Sequence, residues 1–102
     1  MIRMDKNKKT TQVHLSGDIN RSNILPIRED IMEGINPGTK HVEFHCENIY
    51  KMDAPSMAMI VIIVKHLLNK KIVSKVTGLT GENLYLAKVL GLHLLADVDG
   101  KT

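Results

Sequence analysis

His41, Glu43 and His45 alternate along one short segment, and a further histidine, His14, lies in an earlier segment of the same character. Imidazoles with a carboxylate are the donor set of zinc and non-haem iron sites. Spacing argues against one shared ion, since four residues of strand hold His41 and His45 about 13 Å apart at ~3.3 Å per residue. A metal-dependent enzyme using His14, His41 and His45 is therefore the weakest reading, and histidines on a wet sheet face are the ordinary outcome. Cys46 alternates inward with Phe44, as a small buried hydrophobe would. A nucleophilic thiol needs exposure and a positioned base, whereas the neighbouring His45 points to the opposite face. Gly78-Leu79-Thr80-Gly81 lacks the spacing and the lysine of a phosphate-binding loop, so a plain turn is expected. These residues imply no metal and no cofactor.

The remaining chemistry gathers in residues 50–57, where a charged strand ends in the tight turn Asp53-Ala54-Pro55-Ser56 before a nearly wholly apolar segment. Carboxylates and hydroxyls at a helix start accept hydrogen bonds from unpaired N–H groups, a role open to both Asp53 and Ser56. A phosphate on a hydroxyl there would meet the positive end of the helix dipole. Of the two methionines in the apolar segment, Met57 and Met59, Met57 is expected to be the more exposed.

Local patterns supply the elements that would hold this turn. Thr10–Gly17 alternates about Val13 and Leu15, and residues 1–4 pair back on it through Asp5–Lys8 as an N-terminal hairpin over 1–16. A helix capped by Ser22 or Asn23 runs to Glu33, with Pro26 in its first turn. Strand 41–46 places Val42, Phe44 and Cys46 on one side. Met57–Leu68 carries a β-branched centre, but about twelve residues exceed a typical strand, so helix is expected. Strand 72–77, a helix over 82–90 with Leu84, Ala87 and Leu90 inward, a short edge strand in 94–98 and a frayed tail at 99–102 complete the chain. Strands joined by helices should be parallel with right-handed crossovers. The expected fold is one α/β domain over 1–102, a mixed four- to five-stranded sheet with helices mainly on one face.

The bulk properties narrow the function classes. A chain of 102 residues fits one core, and the absence of tryptophan weakens base stacking as a mode of recognition. Basic residues are scattered and mostly lysine, so nucleic acid is not expected as a partner. The lone Cys46 favours a reducing compartment. The apolar run Met57–Val64 is less than half a membrane span, so neither membrane insertion nor a signal peptide is expected, and the location is taken as cytoplasmic.

Several stretches together resemble the STAS family of anti-sigma factor antagonists and their relatives. Val13-His14-Leu15-Ser16-Gly17-Asp18-Ile19 looks like the family's second strand, and Pro26–Ile31 is similar to its first helix. His41-Val42-Glu43-Phe44 occupies the strand leading to the family's Asp-Ser-Ser-Gly turn, and Met52-Asp53 matches its apolar-Asp pair. Leu90-Gly91-Leu92 and Leu94–Val98 resemble the closing segment. The resemblance implies a STAS-like fold and a non-enzymatic interaction module, resembling an anti-sigma factor antagonist, that docks a protein partner through Asp53, Ala54, Pro55, Ser56 and Met57. The family's phosphate acceptor aligns with Pro55, which has no hydroxyl, and Ser56 stands one position later as a displaced candidate. The implied partner is an anti-sigma factor of kinase-type fold. The alternative is the ATPase of an ABC-type lipid-transport complex, which the chain would serve as an accessory subunit. The oligomeric state is left open.

Overall fold

Val13 and Leu15 on one strand, and Val42, Phe44 and Cys46 on the next, are all buried, and their shared face organises the molecule. A computed structural model describes residues 2–7 and 9–99. Five strands, β1 (Ile2–Lys6), β2 (Thr10–Ile19), β3 (His41–Met52), β4 (Val73–Thr77) and β5 (Asp97–Asp99), lie side by side in chain order. β1 runs antiparallel to β2, and every other pairing is parallel. The parallel strands are joined through helices α1 (Ile24–Gly34), α2 (Ala54–Asn69) and α3 (Gly81–Val89), the last succeeded by a 3-10 turn at Leu92–Leu94. Right-handed crossovers in a sheet of this order place all three helices on one face. The expected mixed sheet is present, with five strands.

Asp5 and Lys6, expected in the hairpin turn, belong to β1, and α2 begins at Ala54 rather than Met57; three further boundaries differ from expectation. β2 does not stop at Gly17-Asp18 but continues to Ile19, with Gly17 at φ 85°. The edge strand shrinks to Asp97–Asp99 because Leu92–Leu94 coil into the 3-10 turn. Asp99 belongs to that strand, and the remainder of the expected frayed tail lies outside the described residues, as do Met1 and Lys8.

The third difference is the length of β3, which runs six residues past Cys46. Its register against β2 slips between the pairs His14–His45 and Ser16–Asn48, and again between Gly17–Ile49 and Asp18–Lys51. Each slip inserts one extra residue on β3, which is a β-bulge. The inward positions therefore step from Cys46 to Ile49 and then to Met52, all buried. Bulges bend and twist a strand, re-aiming the residues beyond them. Asp53 is the first residue beyond β3.

α2 resolves as a helix despite its β-branched centre because burial outweighs propensity. Ser56, Met57, Ile60, Ile63, Val64 and Leu67 form one buried stripe at helical spacing. Its end is a Schellman motif: Lys71 N–H donates to the Leu68 carbonyl and Ile72 N–H to the Leu67 carbonyl, both at 2.9 Å. Lys71 takes the left-handed position usually given to glycine, at φ 64°.

Candidate docking site

The turn after β3 is held from both sides by the Asp53 carboxylate. Asp53 is the N-cap of α2 in extended conformation, and its Oδ1 accepts from Ser56 N–H at 2.9 Å. Its Oδ2 accepts from Arg21 N–H at 3.1 Å, and its own N–H donates to the Ile19 carbonyl at 3.2 Å. One side chain thus fastens the start of α2 to the loop between β2 and α1. The carboxyl is held below the ordinary carboxylate range, foremost by the Ser56 side chain, then by the N–H groups of Ser56 and Arg21 and by the Arg21 charge, with partial burial opposing.

Ala54 and Pro55 occupy the first two helical positions and are exposed. A proline fits there because its missing N–H would be unpaired in any case. Ser56 and Met57 are different from what their proximity to the turn leads one to expect. Ser56 is 0% exposed and Met57 1%. The expectation of an exposed Met57 fails because the buried stripe of α2 begins at Ser56 rather than a turn later. The Ser56 hydroxyl, near enough to favour a charged Asp53, makes no well-formed hydrogen bond of its own.

Two aromatic side chains outside the Asp53–Ser56 turn are also exposed. Tyr50 is 82% exposed and Tyr85, on α3, is 71% exposed. Beside Tyr85, between the end of β3 and α3, a groove of about 330 Å³ is lined by Lys51, Met52, Glu82, Asn83, Tyr85 and Leu86. Exposed tyrosines beside a shallow apolar depression are the typical anchors of protein interfaces. A signal for Tyr85 exists in the sequence: with Leu84 and Ala87 inward, Tyr85 falls off the buried face of α3.

The histidines resolve into a pair and an outlier. His14 and His45 are partners across β2 and β3, and their rings stack at 4.6 Å between centroids and 12° between planes. His45 Nε2 is hydrogen bonded to Gln12 Oε1, Thr77 Oγ1 lies 3.4 Å from His45 Nδ1, and Asp5 lies 3.4 Å from His14 Nε2. His41 sits at the other end of β3, opposite Thr10 and Val73. The set His14, His41 and His45 is therefore not assembled. Among the described residues no group of three His, Cys, Asp or Glu is arranged to hold a metal ion.

Cys46 is buried, and desolvation, reinforced by the charge of Glu47, pushes its thiol up to about 12. Such a group is almost wholly protonated near neutrality and is a poor nucleophile. The loop at Gly78-Leu79-Thr80-Gly81 is a turn whose reason is steric. Gly78 sits at φ +87°, and a Cβ there would come within 2.4 Å of the Glu47 backbone nitrogen. No helix among the described residues is long and apolar enough to cross a membrane.

Comparison with known proteins bears on this arrangement. No curated protein sequence matches the chain. Among solved structures, the unphosphorylated form of the anti-sigma factor antagonist SpoIIAA superposes with a TM-score of 0.82 at 13% identity, over 100% of this chain and 89% of that one. A putative anti-sigma factor antagonist from Thermotoga maritima gives a TM-score of 0.84 at 12% identity, over 99% and 86% of the two chains. A sulfate transporter family protein from Wolinella succinogenes gives 0.65 at 12% identity, over 89% and 77%. At these identities the likeness is one of fold. The sequence itself goes further, because the STAS domain model matches residues 1–98, and with that span covering the three described helices, the capped turn and the sheet up to Val98, the chain belongs to the STAS domain family.

Proposed function

We propose that the protein is a non-enzymatic interaction module that docks a regulatory protein through the turn at 50–57 and the outer face of α2. The observation that carries this reading is the exposed Ala54-Pro55 step, fixed by the Asp53 cap, with Tyr50 exposed three residues before that cap and Tyr85 sharing a groove with Lys51 and Met52 at the end of β3. Asp53, Ala54 and Pro55 meet the partner, while Ser56 and Met57 support them from beneath. By resemblance to the anti-sigma factor antagonists, the partner is a bacterial anti-sigma factor of kinase-type fold, the process is transcriptional regulation and the setting is the cytoplasm. Docking is insensitive to phosphorylation at the turn, because Pro55 offers no hydroxyl and that of Ser56 is enclosed.

A fixed turn also suits permanent association, which supports a second reading as an accessory subunit of an ABC-type lipid-transport ATPase. Affinity capture from native lysate separates the two. Recovery of a kinase-fold regulator favours the first, and recovery of an ABC-type ATPase the second. Incubation with the recovered kinase and ATP tests the shared premise: intact mass should show no added phosphate, and stoichiometric phosphate on Ser56 would overturn it.

A further inference from the structure

The two edges of the sheet differ in a way that points to self-association. β5 is three residues long and carries Asp97 and Asp99, so a second copy pairing there would bring like charges together. β1 is five residues long, and among the described residues no strand lies beside its outer edge. Its backbone phase is set by the hairpin. Asn7 N–H donates to the Thr10 carbonyl, and the same register pairs Asp5 with Gln12 and Arg3 with His14. Hydrogen-bonded pairs alternate along antiparallel strands. Asn7, Asp5 and Arg3 therefore direct their backbone groups at β2, and Ile2, Met4 and Lys6 direct theirs outward, away from β2.

We propose that two copies of the chain associate by antiparallel pairing of β1 with β1, about a two-fold axis at Met4. Outward-facing residues must oppose one another, which leaves three registers with substantial overlap. An axis at Arg3 sets Arg3 against Arg3, and an axis at Asp5 sets Asp5 against Asp5. The axis at Met4 alone sets Arg3 against Asp5 of the second copy, twice by symmetry, and it uses all five residues of the strand. Charge complementarity across facing positions stabilises such pairs, and like charges destabilise them. The same register brings Lys6 opposite Ile2 of the second copy, beside a groove lined by Ile2, Met4, Lys6, Asp30, Glu33 and Gly34.

Five residues of strand bury less than a standard interface, so the dimer is weak and concentration-dependent. Sedimentation velocity on protein with a free N-terminal strand tests it, with concentrations raised to the order of 1 mM, where an association of about 4 kcal/mol becomes visible. The weight-average mass should climb toward that of a dimer. Arg3→Asp and Asp5→Arg should each return it to monomer, and the double variant Arg3→Asp/Asp5→Arg should restore dimer by exchanging the charges. Met4→Cys should form an intermolecular disulfide under mild oxidation, since facing Cα atoms ~5.5 Å apart fall within disulfide reach. Arg3→Cys should not, and the buried Cys46 does not compete. A monomer at every concentration, a failure of the charge exchange to rescue, or cross-linking through position 3 instead of 4 would each overturn the proposal.

Discussion

Replacing Asp53 by alanine removes the acceptor for two backbone N–H groups in two different elements, those of Ser56 at 2.9 Å and Arg21 at 3.1 Å. Loss of an N-cap costs about 1 kcal/mol. The second bond, to an exposed loop, adds roughly 0.5 kcal/mol at the low end of the usual range. A total of about 1.5 kcal/mol corresponds to a fall in Tm of roughly 7 °C for a domain of this size. Asp53→Asn keeps one acceptor oxygen for Ser56 N–H but turns a donor NH2 toward Arg21 N–H, so it loses that bond together with the interaction of charge with helix dipole, and its fall should be about two-thirds as large. The pH dependence is dictated by the lowered pKa of Asp53. The charged form is favoured in the folded state, so its stabilisation is fully present above the ordinary carboxylate value near 3.9 and is lost as pH falls through the lower folded value. Thermal unfolding monitored by circular dichroism should therefore show a constant gap between wild type and Asp53→Asn from pH 7 to about 5, closing below about 4. An Asp53→Ala protein that melts with the wild type would refute the view that this carboxylate fastens the turn. So would a gap that widens in acid.

Gly78→Ala forces a Cβ against the Glu47 backbone at positive φ, and should lower stability by about 3 kcal/mol in denaturant unfolding. Lys71→Gly should do the opposite, relieving the left-handed lysine of the Schellman motif and raising stability by about 0.5–1 kcal/mol in the same assay. Cys46 should resist a thiol-modifying reagent in the native protein at neutral pH and react at once in denaturant, as expected for a buried thiol raised to about 12.

The alternation of Val13 with Leu15, and of Val42 with Phe44 and Cys46, made the sheet legible, and the apolar length after Ser56 made α2 legible. What the sequence concealed was register. Whether a strand bulges depends on the strand beside it, and nothing local to Cys46–Lys51 reports that Ile49 and Met52 will share the inner face with Cys46. β2 runs past Gly17 for a related reason, since a glycine at positive φ can lie within a bulged strand as readily as after one. The burial of Ser56 and Met57 was in principle accessible. Ser56 lies four residues before Ile60 and Met57 seven before Val64, so both already fall within the helical periodicity of the buried stripe. Asp53 was legible as a cap, but its bond to Arg21 N–H was not, because 32 residues separate the two.

Pro55→Glu tests the central claim most directly, for it restores a negative charge in the slot where the family carries its phosphate while leaving the capped, exposed helix start able to fold. The measurement is the amount of partner recovered by this variant and by the wild type in parallel captures from native lysate, quantified by mass spectrometry, with equal melting temperatures as the control on folding. Docking through the turn predicts that the partner bound by the wild type is lost from Pro55→Glu. Equal recovery by both proteins would contradict it.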